Sequence, residues 1–168
     1  MKIAIIAGSG NLPVQIATQN KEAFVLCIKD YSCPNSFQNK SKIVSLFDPI
    51  SWLTVLKTNN ITHIVMAGKI ERPSNFDKIT NEKANELINK IISVGDNSAL
   101  NYIQDFFNKN GFEILPINSI LKDCFMPKGF YQEKLFSQNL KDFVYKSSQF
   151  GVDLLNTISK FDVGQSVV

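Results

Sequence analysis

The stretch Ile3-Ala4-Ile5-Ile6-Ala7-Gly8-Ser9-Gly10-Asn11-Leu12-Pro13 decides how the rest of the chain is read. Five consecutive apolar residues ended by glycine fit a short strand buried on both faces, the kind found inside a parallel sheet. The Gly-Ser-Gly turn then gives way to helical spacing from Leu12 to about Asn20. A buried strand running through a tight glycine turn into a helix is the opening unit of an α/β domain, because a parallel neighbour can be reached only by crossing over the sheet.

The same alternation repeats downstream. Ala23–Ile28 and Lys42–Phe47 read as the second and third strands, with polar loop between them. Asp48-Pro49 opens a helix, since the carboxylate can accept from free backbone N–H groups and proline suits the first helical position. Trp52, Val55 and Leu56 form its apolar face, and His63–Ala67 makes a fourth strand that runs into Gly68. Glu82 to Val94 reads as helical, Asp96 or Asn97 caps a further helix ending at Gly111, and Phe112–Leu115 is a fifth strand. Phe136, Leu140, Phe143, Val144, Ser147, Gly151, Leu154, Leu155 and Ile158 recur at three- and four-residue steps, which predicts one long amphipathic helix. The fold expected is α/β, a Rossmann-like three-layer domain with a mainly parallel sheet. Residues 1–162 are assigned to it, and 163–168, an apolar tail that looks like a strand beginning, to the start of an absent second domain.

With 168 residues, the chain has room for one well-buried core and hardly for two. Its 44% hydrophobic and 20% charged residues exclude a disordered or collagen-like chain. Runs such as Ile3–Ala7 fall far short of the ~20 residues that span a bilayer, and Met1-Lys2-Ile3 lacks the pattern of a secretory signal. A cytoplasmic protein is expected. Cys27, Cys33 and Cys124 form neither a CxxC pair nor an even disulfide framework, and the single His63 offers them no zinc partnership. A net charge of +3 from scattered lysines argues against nucleic acid as a partner.

In an open parallel sheet, ligands bind beyond the carboxyl ends of the strands, where strand order reverses. Gly8, Ser9, Gly10, Asn11 and Leu12 follow the first strand and enter a helix, so their N–H groups and the helix dipole suit a phosphate or a sugar hydroxyl. Two other readings stand beside this one. The turn resembles a dinucleotide fingerprint, with Asp30 near the ribose position, but Pro13 occupies the place of the third glycine in GxGxxG. It is also readable as a tight turn that binds nothing. Gly68, Lys69 and Arg72 follow the fourth strand, with Pro73 stiffening the exit; the two cations suit a diphosphate, or else Arg72 pairs with Glu71 or Asp77 in a solvated loop. Gly95 and Asp96 read as a helix cap or a polar ligand contact. His63, at the start of a buried strand without a nucleophile beside it, receives no catalytic role. Lys128 and Gly129 form a turn after Pro127, bordering the ligand or merely connecting. No tight acidic cluster stands out for the metal that diphosphate hydrolysis calls for.

Taken together, AGSGNLP at Ala7–Pro13, AGKIERP at Ala67–Pro73, GDNSAL at Gly95–Leu100, NGFEI at Asn110–Ile114 and DVGQSVV at the end resemble, in order, the UDP-2,3-diacylglucosamine pyrophosphatase family of the LpxI type. The resemblance implies a Rossmann-like amino-terminal domain, a carboxyl-terminal domain, and a lipid-linked UDP-sugar held between them. It implies magnesium (Mg2+)-dependent hydrolysis of UDP-2,3-diacylglucosamine to lipid X and UMP, a step of lipid A biosynthesis in Gram-negative bacteria. The metal ligands and the decisive acid are expected mainly on the second domain. The glycine-rich turn, Gly68, Arg72, Pro73, Gly95 and Gln165 match the family pattern, so ligand contact is carried over to them. General acid, base and metal ligand are carried over to none. Asn97 departs from the pattern, which tends to place a second Asp there. The expectations are therefore a substrate-binding half, inactive without a separate carboxyl-terminal polypeptide and at most peripheral at the inner membrane. A homo-oligomer, a non-catalytic sugar-nucleotide-binding remnant and a nicotinamide-binding protein remain as alternatives.

Overall fold

The computed structural model describes residues 1–71, 79, 82–121 and 136–158, with the side chains at 83, 96 and 97 outside the description. Five strands, β1 (Ile3–Ala7), β2 (Phe24–Ile28), β3 (Ser41–Val44), β4 (His63–Ala67) and β5 (Glu113–Ile114), form one sheet in the order β3-β2-β1-β4-β5. Every pairing is parallel. Five helices accompany them: α1 (Leu12–Gln19), α2 (Pro49–Thr58), α3 (Glu82–Ile92), α4 (Asp96–Lys109) and α5 (Gln138–Ile158). The chain is α/β and Rossmann-like, as its strand–turn–helix alternation predicts.

Side-chain alternation along each strand builds the layers. Ala4, Ile6, Phe24, Leu26, Ile28 and Ile64 point to one face, where Trp52, Val55 and Leu56 of α2 and Phe107 of α4 cover them. Ile5, Ala7, Val25, Cys27, Val65 and Ala67 point to the other, against Ile16 and Ala17 of α1 and Leu121. β1 and β2 thus need apolar residues at nearly every position, which is why they read as unbroken runs. β3 is an edge strand. Lys42 and Ile43 are exposed on it, and it spans Ser41–Val44, ending three residues before the Phe47 at which the apolar run stops. Beyond Val44 the chain turns away so that Ser45 O can accept from Trp52 Nε1 at 2.7 Å.

Helix ends follow local chemistry. The Asp48 side chain accepts from Ser51 N at 3.1 Å, with Pro49 at the first helical position. α4 stops at Gly111, whose φ of +87° is left-handed, with Gly111 N donating to Asn108 O and Phe112 N to Phe107 O. That pair of bonds is a Schellman cap, and the ring contact of Phe107 with Phe112 at 6.3 Å is the apolar clasp that accompanies one. Asn60, with φ +55°, closes α2 in the same way: its N–H donates to Lys57 O, and that of Ile61 to Leu56 O.

The chain divides into two compact units, one of Met1–Val94 with Ser98–Phe125, the other of Gly95–Asn97 with Met126–Val168. The sheet belongs to the first and α5 to the second. No helix among the described residues is long and apolar enough to cross a membrane.

Candidate functional site

Strand order reverses between β1 and β4, which lie side by side with Ala7 opposite Ala67. The two loops that leave these strands are stitched together. Gly8 N donates to Ala67 O at 2.8 Å, Ser9 N to Lys69 O at 2.9 Å and Lys69 N to Ser9 O at 2.9 Å. The Ser9 hydroxyl adds a bond to Lys69 O, also at 2.9 Å.

This stitching explains two glycines without invoking a ligand. A Cβ at Gly8 would lie 2.7 Å from Lys69 O. One at Gly68, whose φ is +93°, would lie 2.7 Å from Ser9 O and 2.9 Å from Cγ of Pro13. Gly68 is therefore small because Pro13, buried at the start of α1, packs over it. AGSGNLP and AGKIERP are two halves of one packed unit, joined across the switch point.

The same bonds occupy some of the groups that sequence reasoning offers to a ligand. The amides of Gly8 and Ser9 are engaged by the chain itself. Those of Gly10, Asn11 and Leu12 donate to no described residue, and Asn11 stands at the helix N-cap without a side-chain cap bond. Gly10 is exposed, with φ +98° and open space where a side chain would be. The free donors thus sit at the entry to α1, where the helix dipole favours negative charge.

Lys69 is exposed and paired with Glu71, its Nζ 2.9 Å from Oε1. The hydrogen bond and charge of Glu71 raise the Lys69 ammonium pKa, and Lys69 in turn holds the Glu71 carboxyl below the usual carboxylate range. Both groups are solvated, so the pair is a surface clasp rather than a source of stability. Its effect is to offset one cation at the rim.

A third loop, after β2, joins the other two. Ser32 Oγ donates to Ala7 O at 2.7 Å, and Tyr31 OH to the backbone oxygen of Glu71 at 2.9 Å. Asp30, exposed with φ +72°, makes the turn that delivers them. Neither Tyr31 nor Ser32 stands out in the sequence, since each partner lies far along the chain. Beneath them, burial pushes the Cys27 thiol pKa up, against a smaller lowering by its bond to Ser32.

The other candidates lie elsewhere. Gly95 is exposed just ahead of α4, which begins at Asp96, and both residues fall in the second compact unit. Arg72, Pro73, Asp77, Lys128, Gly129 and Gln165 lie outside the described residues. His63 sits at the amino end of β4, opposite to the rim, with Nε2 3.2 Å from Glu113 Oε2 and Nδ1 2.7 Å from Thr62 Oγ1. An open concavity of about 630 Å³ between β4, β5 and α4, bordered by Met66, Gln104, Asn108 and Glu113, contains none of the predicted residues. Among the described residues, no three His, Cys, Asp or Glu side chains gather to hold a metal ion.

Residues 2–124 match the family described as the LpxI N-terminal domain. The chain belongs to the LpxI family. It is similar to the UDP-2,3-diacylglucosamine pyrophosphatase LpxI of Caulobacter vibrioides, with 22% identity over 174 residues. That similarity covers 99% of this chain and 61% of the relative, so the chain spans about three fifths of the length of the LpxI protein it matches. The stitched rim, from Gly8 through Lys69, lies wholly within the part that matches the LpxI N-terminal domain.

Proposed function

We propose that this chain is the substrate-gripping amino-terminal half of a UDP-2,3-diacylglucosamine diphosphatase, which hydrolyses its substrate to UMP and lipid X. The observation that carries the reading is the row of free amides at Gly10, Asn11 and Leu12, at the switch point of a sheet in the LpxI family. A diphosphate is the group such donors suit: its oxygens accept from N–H groups at a helix entry, and its charge is favoured by the dipole there. Lys69 adds a cation, with Arg72 assigned to the same clamp, while Gly8, Ser9 and Gly68 fix the backbone that presents the donors. Gly95, Asp96 and Gln165 are assigned further ligand contacts on the strength of the family resemblance. In this reading the described residues bind and orient the substrate. The hydrolytic step, with its magnesium, is assigned to a carboxyl-terminal part corresponding to the stretch of the LpxI relative that this chain does not match. The protein works in the cytoplasm, touching the inner face of the inner membrane only where a lipid-linked substrate is presented.

Calorimetry with UDP, UMP and NAD tests the grip. Binding of UDP with indifference to NAD is the expected result, and Asn11→Asp weakens UDP by ~10-fold, because a carboxylate at the helix entry competes for the same donors. The substitution leaves the fold intact, since aspartate caps a helix at least as well as asparagine. Silence with millimolar UDP overturns the reading. Tight NAD binding without uridine binding replaces it with the nicotinamide alternative. Magnesium-dependent UMP release, measured with and without a carboxyl-terminal LpxI part added, separates a hydrolase from a binding module that does no chemistry.

A further inference from the structure

α5 carries Leu140, Phe143, Ser147, Phe150 and Leu154 at alternating steps of three and four residues. Phe143 is 66% exposed and Phe150 71%, with Leu140 at 42% and Leu154 at 40%. The neighbouring stripe differs: Gly151 is buried, and Val144 and Leu155 are half-buried. These residues form a seam of heptad spacing, the narrow stripe that one helix presents to another, while Tyr145 and Val152 are exposed off the seam. Ordinary surface helices of monomers do not line up two phenylalanines and two leucines in water.

The occupant we assign follows from the spacing and charge of the seam. A two-fold axis across the helix makes each contact occur twice, with the two copies exchanging places. Placing a second α5 antiparallel, with the axis between Ser147 and Phe150, sets the small Ser147 against the large Phe150 of the other copy. It also sets Phe143 against the other copy's Leu154, and each layer recurs through the symmetry. Lys146 and Asp153 are both exposed on one border of this seam. Seven residues apart, they stand about 10.5 Å from each other along the axis, too far to pair within the helix. In an antiparallel pair, like borders run side by side, and Lys146 of each copy meets Asp153 of the other. In a parallel pair, opposite borders meet, which sets Lys146 toward Gly151 and Asp153 toward Ile158, with no charge to answer either.

We propose that the exposed seam of α5 is a self-association surface, through which two copies of this chain dock as an antiparallel helix pair about a two-fold axis between Ser147 and Phe150. The proposal is independent of the nucleotide reading, because no residue proposed to hold the ligand lies on the seam.

Sedimentation velocity on the full chain reads the outcome directly. The unaltered protein sediments as a dimer at about 0.1 mM, and Phe150→Glu weakens the association by at least ~30-fold, the loss of a central anchor. Lys146→Asp and Asp153→Lys each weaken it as well, by setting like charges together. The double variant Lys146→Asp/Asp153→Lys restores the dimer, and an equimolar mixture of the two single variants forms a heterodimer. All these positions are exposed, and far-UV circular dichroism checks that helix content is kept. Should Phe150→Glu lose structure, the charge variants decide alone. A monomer at every concentration, a dimer indifferent to Phe150→Glu, or failure of the double variant to recover association overturns the proposal. That last outcome includes a parallel dimer and a seam occupied by a different protein.

Discussion

Phe107 and Phe150 are the same residue on two amphipathic helices, yet Phe107 is 1% exposed and Phe150 71%. In the sheet unit, Phe107 of α4 stacks at 6.4 Å on Trp52 of α2, over a floor of strand residues that has room for it. The face of α5 that carries Phe143 and Phe150 opens to solvent instead. The contrast teaches that hydrophobic period alone measures how much surface a helix needs to bury, and says nothing of whether its own chain does the burying. The sheet unit takes Phe107 into its core and leaves single apolar residues such as Ile43 and Leu100 outside, whereas α5 leaves a seam of them in line.

Four changes break or sharpen that contrast. The largest effect falls on the core: Phe107→Ala costs about 3–5 kcal/mol in urea unfolding, because the cavity among Trp52, Phe106 and Phe112 cannot close. Gly68→Ala follows at about 3 kcal/mol, since the added methyl meets backbone atoms of the neighbouring loop in a left-handed conformation. Its unfolding curve should show the loss even with no ligand present, which distinguishes a packing glycine from a ligand-approach glycine. A smaller gain comes from Glu71→Gln, which frees Lys69 at the rim and tightens UDP binding by roughly three-fold in calorimetry. The sign follows from the lowered carboxyl of Glu71. It stays ionised through neutral pH and releases Lys69 only as pH falls through that lowered value, so the amide variant matters most at neutral pH and least in acid. Smallest of all, Phe150→Ala shifts urea unfolding of the sheet unit by no more than ~0.5 kcal/mol, as exposed substitutions do. A cost there comparable to that of Phe107→Ala would mean that the two faces are not different in kind.

Much of the sheet was legible residue by residue. Ile3–Ala7 and His63–Ala67 have the bounds expected of them, because a strand buried on both faces is apolar through its interior, with His63 only at its partly exposed start. β3 was harder, since an edge strand with exposed Lys42 and Ile43 carries no clean period. The left-handed cap at Gly111 was visible as a glycine, while the equivalent cap at Asn60 was not, asparagine being an ordinary loop residue until its φ is known. At the rim, the placing of both glycine motifs at strand ends was readable. That they are stitched to each other was not: the bonds of Ser9 to Lys69 join residues 60 positions apart.

The amino-acid sequence by itself determined which segments become strands and helices, and that two glycine turns leave the carboxyl ends of parallel strands. Those features depend on neighbours a few residues away, through side-chain period, caps and turn geometry. Only the tertiary structure decided that Gly8 and Gly68 serve packing, that Gly10, Asn11 and Leu12 keep their donors free, and that Phe150 stays out while Phe107 goes in. Such outcomes depend on which distant backbone atoms arrive beside each group, and no local pattern records that.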